Sequence, residues 1–229
     1  MGIRRFAKSH TAFAKGMLGL VDATILVVVI CALVLVGLRM VRYFWPVSPA
    51  FVSNWTDYEE GGHRIGSAQG QVTIIMFSDF TCSYCLNVFN GLERLRSELG
   101  DNLTIVYQHF LSNPSDETAI TIARASECAA QLGKFESFYR IAFQHREIIF
   151  SRDWAGLVAL SADFDPLEIA EIQNCIDRGD GFAAVRASHT AAEKLGLRGT
   201  PSFLIEGWLV EGYDDVDNLY QLATTRRLR

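Results

Sequence analysis

Val72-Thr-Ile-Ile-Met-Phe77 is a continuous apolar, β-branched run, and after it Leu86, Phe89, Leu92, Leu95 and Leu99 recur at helical spacing until Gly100. The first reads as a buried strand, the second as an amphipathic helix closed by a glycine. Between them stands Ser78-Asp-Phe-Thr-Cys82-Ser-Tyr-Cys85. The chain must therefore pass from a buried strand into a helix with a C-x-x-C pair in the first turn. Unpaired N–H groups and a partial positive charge gather there, and both stabilise a thiolate. Cys82 is the expected nucleophile. Cys85, one turn further on and on the same side, is the expected buried thiol that resolves a mixed disulfide.

One C-x-x-C pair fits other chemistries. A structural zinc needs two more Cys or His ligands, commonly a second close pair. Cys128 and Cys175 each stand alone, and His63, His109, His145 and His189 are scattered, so no residue is assigned to a metal. The histidines read as surface or core filler. A copper-binding protein is a further alternative, but no added His or Met ligand is evident near Cys82.

The chain has 229 residues, which suits one sizeable domain with additions. Its net charge of −5 gives no reason to expect nucleic-acid binding. Residues 17–41 are almost entirely apolar, long enough for a helix to cross a bilayer. Arg4, Arg5, Lys8 and Lys15 precede that block, while Asp57, Glu59 and Glu60 lie beyond it. The positive-inside rule then makes residues 1–16 a cytoplasmic tail and puts the remainder outside, with Tyr43, Phe44 and Trp45 as an interfacial belt. A cleaved signal peptide fits less well, because its small-residue cleavage site is missing. Residues 42–63 read as a linker and 64–229 as the folded domain. No cofactor is called for, since a cysteine pair itself carries two electrons.

Downstream, Leu103–Tyr107 reads as a second strand, Gly199-Thr-Pro-Ser-Phe-Leu-Ile205 and Trp208–Val210 as a pair joined by a turn at Glu206-Gly207, and 214–226 as a closing helix. The run Phe77-Ser-Asp-Phe-Thr-Cys-Ser-Tyr-Cys85, followed about 115 residues later by Gly-Thr-Pro-Ser-Phe, resembles the DsbA-like branch of the thioredoxin superfamily. The resemblance covers about Arg64 to Leu222. It implies an α/β thioredoxin fold carrying a helical insertion, here about residues 115–195. Asp165-Pro166-Leu-Glu168 inside that stretch has the form of a helix N-cap with a capping box. The family's proline maps onto Pro201, and its bond to Thr200 is expected to be cis and to face the cysteines. Statistics alone put an X–Pro bond in cis about 5 % of the time.

The resemblance also implies a function: oxidation of protein thiols, with a quinone-linked membrane partner of the DsbB or vitamin-K-epoxide-reductase type renewing the disulfide. That places the domain in the periplasm or its equivalent. The opposite direction, reductase or isomerase, is the alternative. Two departures bear on direction. Met76 stands where many relatives have a buried acid, and Asp79 reads as a loop or capping residue. The dipeptide Ser83-Tyr84 lacks the histidine of strongly oxidising relatives. Cys128 and Cys175 lie in the insertion, where some relatives carry a second disulfide. Separate buried thiols are the other reading, since bridging needs Cα atoms within about 7 Å.

Overall fold

The computed structural model describes residues 25–39, 50–212, 219 and 221, and divides into two compact units, Met1–Ser48 and Pro49–Arg229. In the first unit residues 25–39 form helix α1. Among the described residues no helix is long and apolar enough to cross a membrane. The ends of the 17–41 span lie outside the described residues, as does almost all of the closing helix expected at 214–226.

The second unit is built on a sheet of six strands: β1 (Ala50–Phe51), β2 (His63–Gly66), β3 (Val72–Ser78), β4 (Leu103–His109), β5 (Ser202–Ile205) and β6 (Trp208–Glu211). Their spatial order is β1-β6-β5-β3-β4-β2. β3 and β4 run parallel and are connected through helix α2 (Ser83–Leu99), a βαβ unit. β5 lies antiparallel to β3 on its other side. β3 is central, so both faces are covered: Ile74 and Met76 pack into one apolar cluster, Ile75 and Phe77 into another. This explains why its sequence is continuously apolar instead of alternating.

The β5–β6 turn is made by Glu206 and Gly207, both at positive φ (48° and 86°). A two-residue turn with both central residues left-handed matches the strand twist of a hairpin. Gly207 is also sterically required, since a Cβ there would stand 2.7 Å from the rings of Phe51 and Trp55. Those contacts correct the domain boundary. β1 pairs with β6, and Trp55–Glu59 forms a 3-10 turn whose Trp55 and Tyr58 pack on the sheet. Residues 50–63 therefore belong to the fold, not to a linker. Two short paired residues leave no periodic pattern to read in advance.

Between β4 and β5 come six helices: α3 (Glu117–Gln131), α4 (Phe135–Gln144), α5 (Arg146–Ser151), α6 (Trp154–Val158), α7 (Pro166–Arg178) and α8 (Phe182–Lys194). Asp165 caps α7 by accepting from the N–H groups of Leu167 and Glu168, and Glu168 returns the bond to the Asp165 N–H at 2.9 Å. Ile172 and Ile176 on α7 are buried and Ile169 partly so. Cys128 of α3 and Cys175 of α7 form a disulfide with Cα atoms 5.9 Å apart.

That bond spans 47 residues of chain, so its removal frees a long loop in the unfolded state. The double change Cys128→Ala, Cys175→Ala is expected to cost about 2–4 kcal/mol in urea unfolding with the Cys82–Cys85 pair held in one redox state. A loss under about 0.5 kcal/mol would mean that the bond adds nothing to the fold.

Candidate active site

β3 ends at Ser78 and α2 begins at Ser83, so Cys82 is the N-cap residue, in extended conformation (φ −75°, ψ 126°). Residues 79–81 make the passage. Asp79 is buried, and its carboxylate organises the turn: it accepts from the Thr81 N–H at 2.8 Å, the Thr81 hydroxyl at 2.7 Å and the Ser112 N–H at 2.9 Å. Asp79 thus ties the cysteine loop to the loop after β4, a positioning task within the reading of a loop or capping residue. Phe80 points into the core and stacks on Tyr107, ring centroids 5.1 Å apart.

The Thr200–Pro201 bond is cis and its loop faces the pair. Cys82 Sγ lies 3.5 Å from the Thr200 carbonyl oxygen, to which the thiol form donates. Thr200 Oγ1 in turn is 2.6 Å from the Ser112 hydroxyl. Asp79, Ser112, Thr200 and Cys82 therefore link three loops that are far apart in sequence. Arg198, Gly199, Thr200, Glu211 and Gly212 line an open hollow of about 440 Å³ next to this loop.

The two sulfurs differ in environment. Cys82 is partly exposed, whereas Cys85 is buried. The Cys82 pKa falls from 9.0 to about 5. The hydrogen bond from the Cys85 thiol is the largest cause; partial burial opposes it, and the Thr200 side chain and the N–H groups of Cys85 and Tyr84 add to the lowering. Cys85 is pushed up instead, first by burial, then by its hydrogen bond to Cys82 and the charge there. Met76 is fully buried and apolar, so the strand position occupied by an acid in many relatives offers no proton acceptor.

Tyr84 stands exposed beside the pair, and Ser83 accepts from Arg146 at 3.3 Å. Arg146 also donates to the Thr81 carbonyl and lies over the Phe150 ring, 5.0 Å from its centroid. Sequence reading missed Arg146. It comes from α5, more than 60 residues away, and nothing local marks it. Sequence reading also missed that His63, His109 and Glu127 converge: their ligand atoms all lie within 4.8 Å of one another. The β2–β4 register pairs His63 with Tyr107 and so sets His109 diagonally across on the same face, a pairing the sequence does not announce. Glu127, on α3, carries no signal either.

A thiolate is the reactive form, so alkylation of reduced Cys82 by iodoacetamide is expected to rise with pH around a midpoint near 5, not near 9. The depressed pKa also stabilises the reduced fold. That contribution is fully present above about pH 9, the unfolded value, and is lost as pH falls through about 5. Reduced protein should therefore lose stability relative to oxidised protein as pH falls from about 9 to about 5, read from urea midpoints. An alkylation midpoint above about 7 would contradict the hydrogen-bonded thiolate.

Comparison with known proteins agrees with this geometry. A family model described as thioredoxin matches residues 58–222. Among curated proteins, the chain is 27% identical over 196 residues to a Na(+)/H(+) antiporter, NhaA 1, of Mycobacterium sp. strain KMS, a match covering 84% of this chain and 29% of the antiporter. The chain thus spans less than a third of the length of that curated relative. Among solved structures, a thioredoxin-like oxidoreductase from Silicibacter pomeroyi DSS-3 superposes with a TM-score of 0.61 at 24% identity, over 74% of this chain and 94% of that one. The thiol-disulfide exchange protein α-DsbA2 from Wolbachia pipientis gives 0.60 at 18% identity, over 76% and 92%. With cysteine pair, cis-proline loop and helical insertion in one unit, the chain belongs to the thioredoxin family.

Proposed function

We propose that the chain oxidises thiols of exported proteins, with Cys82 and Cys85 as its redox pair and residues 17–41 as a membrane anchor holding the domain outside the cytoplasm. The observation that carries the reading is the unequal placing of the two sulfurs: Cys82 half-exposed at the N-cap of α2 facing the Thr200 carbonyl, Cys85 buried one turn on, an arrangement that lowers the first thiol and raises the second.

The exchange runs as follows. A substrate thiolate attacks Cys82 Sγ of the Cys82–Cys85 disulfide, and the Cys85 sulfur leaves. It takes up a proton, because burial disfavours its charge. A second substrate thiolate then attacks the substrate sulfur of the mixed disulfide, and Cys82 leaves as a thiolate. Two electrons pass from the substrate's sulfurs to the enzyme's, so no cofactor takes part. A stabilised thiolate makes a good leaving group and favours the reduced enzyme, which is what gives the oxidised form its drive. Helix N–H groups and the Cys85 thiol do here what a histidine does in other dipeptides, so Ser83-Tyr84 is compatible with oxidation. The substrate backbone pairs beside Thr200-Pro201, in the hollow that Gly199 and Glu211 help line. A quinone-linked membrane partner of the DsbB or vitamin-K-epoxide-reductase type renews the disulfide.

Reductase or isomerase work is the second reading. The buried Met76 disfavours it, since a reductase must deprotonate its resolving thiol quickly. Sodium–proton exchange is not carried over from the antiporter likeness, which spans 29% of that protein.

Full-length Cys85→Ala protein in cells should accumulate mixed disulfides through Cys82, in the membrane fraction, with exported proteins as the captured species. Capture of cytoplasmic proteins in the soluble fraction would overturn both location and direction. The reduction potential of the wild type, equilibrated with glutathione, should lie nearer about −120 mV than about −270 mV; the lower value would turn the assignment to a reductase.

A further inference from the structure

We propose that His63, His109 and Glu127 form a binding site for one divalent transition-metal ion, zinc(II) by donor chemistry, at the seam between the sheet and the helical insertion. This site is separate from the cysteine pair and does not depend on the redox reading.

The donors come from three elements: His63 begins β2, His109 ends β4, and Glu127 lies on α3. Both imidazoles turn the same nitrogen to the same oxygen. His63 Nε2 is 2.7 Å and His109 Nε2 2.9 Å from Glu127 Oε1. Two imidazoles and one carboxylate are the donor set of open zinc sites, with a fourth position left for water. Tetrahedral bonds of about 2.1 Å set donor atoms roughly 3.4 Å apart. The present His–Glu separations need to widen by about 0.5–0.7 Å to admit an ion.

The surroundings favour a cation there over a plain hydrogen-bond network. His109 is 2% exposed, and its Nδ1 is buried with no partner. Around its ring stand Tyr107, Phe80 and Phe135, at centroid distances of 5.1, 6.2 and 6.3 Å. If Nε2 carries the hydrogen toward Glu127, a bare Nδ1 lone pair is left among aromatic rings, at a cost of about 1–3 kcal/mol. If Nδ1 carries it, an edge N–H meets π-density, which is favourable. The Nε2 lone pair then faces the carboxylate, and a cation between them, a proton or a metal ion, relieves the repulsion; the convergence of His63 Nε2 on the same oxygen supplies the second imidazole that a metal needs and a proton does not. Ser126 does not solve this. Its hydroxyl is 3.4 Å from His109 Nε2 and gives its hydrogen to the Ala123 carbonyl at 2.7 Å. His63, 20% exposed and stacked on Phe135 at 3.9 Å, stands at the entrance, held in orientation and reachable from solvent.

The test uses full-length protein with the Cys82–Cys85 disulfide formed, so that neither thiolate can bind metal. Zinc(II) is titrated calorimetrically, and cobalt(II) serves as the spectroscopic probe. Wild type should bind one zinc per chain. The cobalt form should show visible d–d bands without a sulfur-to-cobalt charge-transfer band. His63→Gln, at the entrance, should weaken zinc on the order of 100-fold, one ligand's share of such a site, with its far-UV spectrum intact. Glu127→Gln should do the same if it folds. His63→Ala serves as the second check, since it removes the donor without offering an amide. No zinc bound by oxidised wild type, or equal affinity in wild type and a folded His63 variant, would overturn the proposal.

Discussion

The backbone N–H groups of Tyr84 and Cys85 lie in the first turn of α2, where no carbonyl of the helix can receive them. The sulfur of Cys82, at the N-cap, makes no capping hydrogen bond with them but stands at their positive end, which favours its thiolate. A Ser or Asp at that place would accept their bonds to cap the helix. A cysteine there has a chemical consequence, because the same donors favour its charged form. The Cys85 thiol adds the largest single contribution to the same end. Proximity therefore works in both directions: the proton that leaves one sulfur easily is the one the other keeps, and burial of Cys85 fixes which is which. Nothing in this pair needs an external acid or base to define the nucleophile.

For the N-cap geometry to hold, the turn between β3 and α2 must be rigid, and three long-range tethers make it so. Asp79 binds the loop after β4 through the Ser112 N–H. Ser112 reaches across to Thr200, whose carbonyl faces Cys82. Arg146, from α5, holds the Thr81 carbonyl and the Ser83 hydroxyl. Each tether joins the cysteine loop to a different element or its loop, so the site inherits the precision of the surrounding scaffold rather than the looseness of any one loop.

The local part of this was legible in sequence. β3 is a central strand, and a strand buried on both faces writes itself as Val-Thr-Ile-Ile-Met-Phe. The Asp165 cap writes itself as Asp-Pro-Leu-Glu. A C-x-x-C between strand and helix needs no tertiary information to be placed. What was not legible depends on contacts between distant residues. β1 has only two residues and is defined by its partner β6. The cis bond at Pro201 was reached through family resemblance, because dipeptide statistics argue the other way. Arg146 and Glu127 sit on helices whose sequences fix their faces but not the neighbours those faces meet. The domain start was read too late for the same reason: residues 50–62 gain their structure from the β5–β6 hairpin and from Gln108 of β4, all distant in sequence.

The insertion is continuous with the catalytic half. Phe80, two residues before Cys82, has its ring 5.1 Å from that of Phe143 and 6.1 Å from that of Phe138, both on α4. Phe143 also stacks on Phe89 of α2 at 5.1 Å. One apolar cluster thus contains the strand, the helix that carries the cysteines and the insertion. Interiors are packed closely enough that a shift on one side is felt on the other. The disulfide between α3 and α7 and the His63–Glu127–His109 contacts brace the outer side of the same assembly. The orientation of the Cys82 loop therefore depends on the helices inserted after β4 as well as on the thioredoxin sheet, with Phe80 as the contact between them.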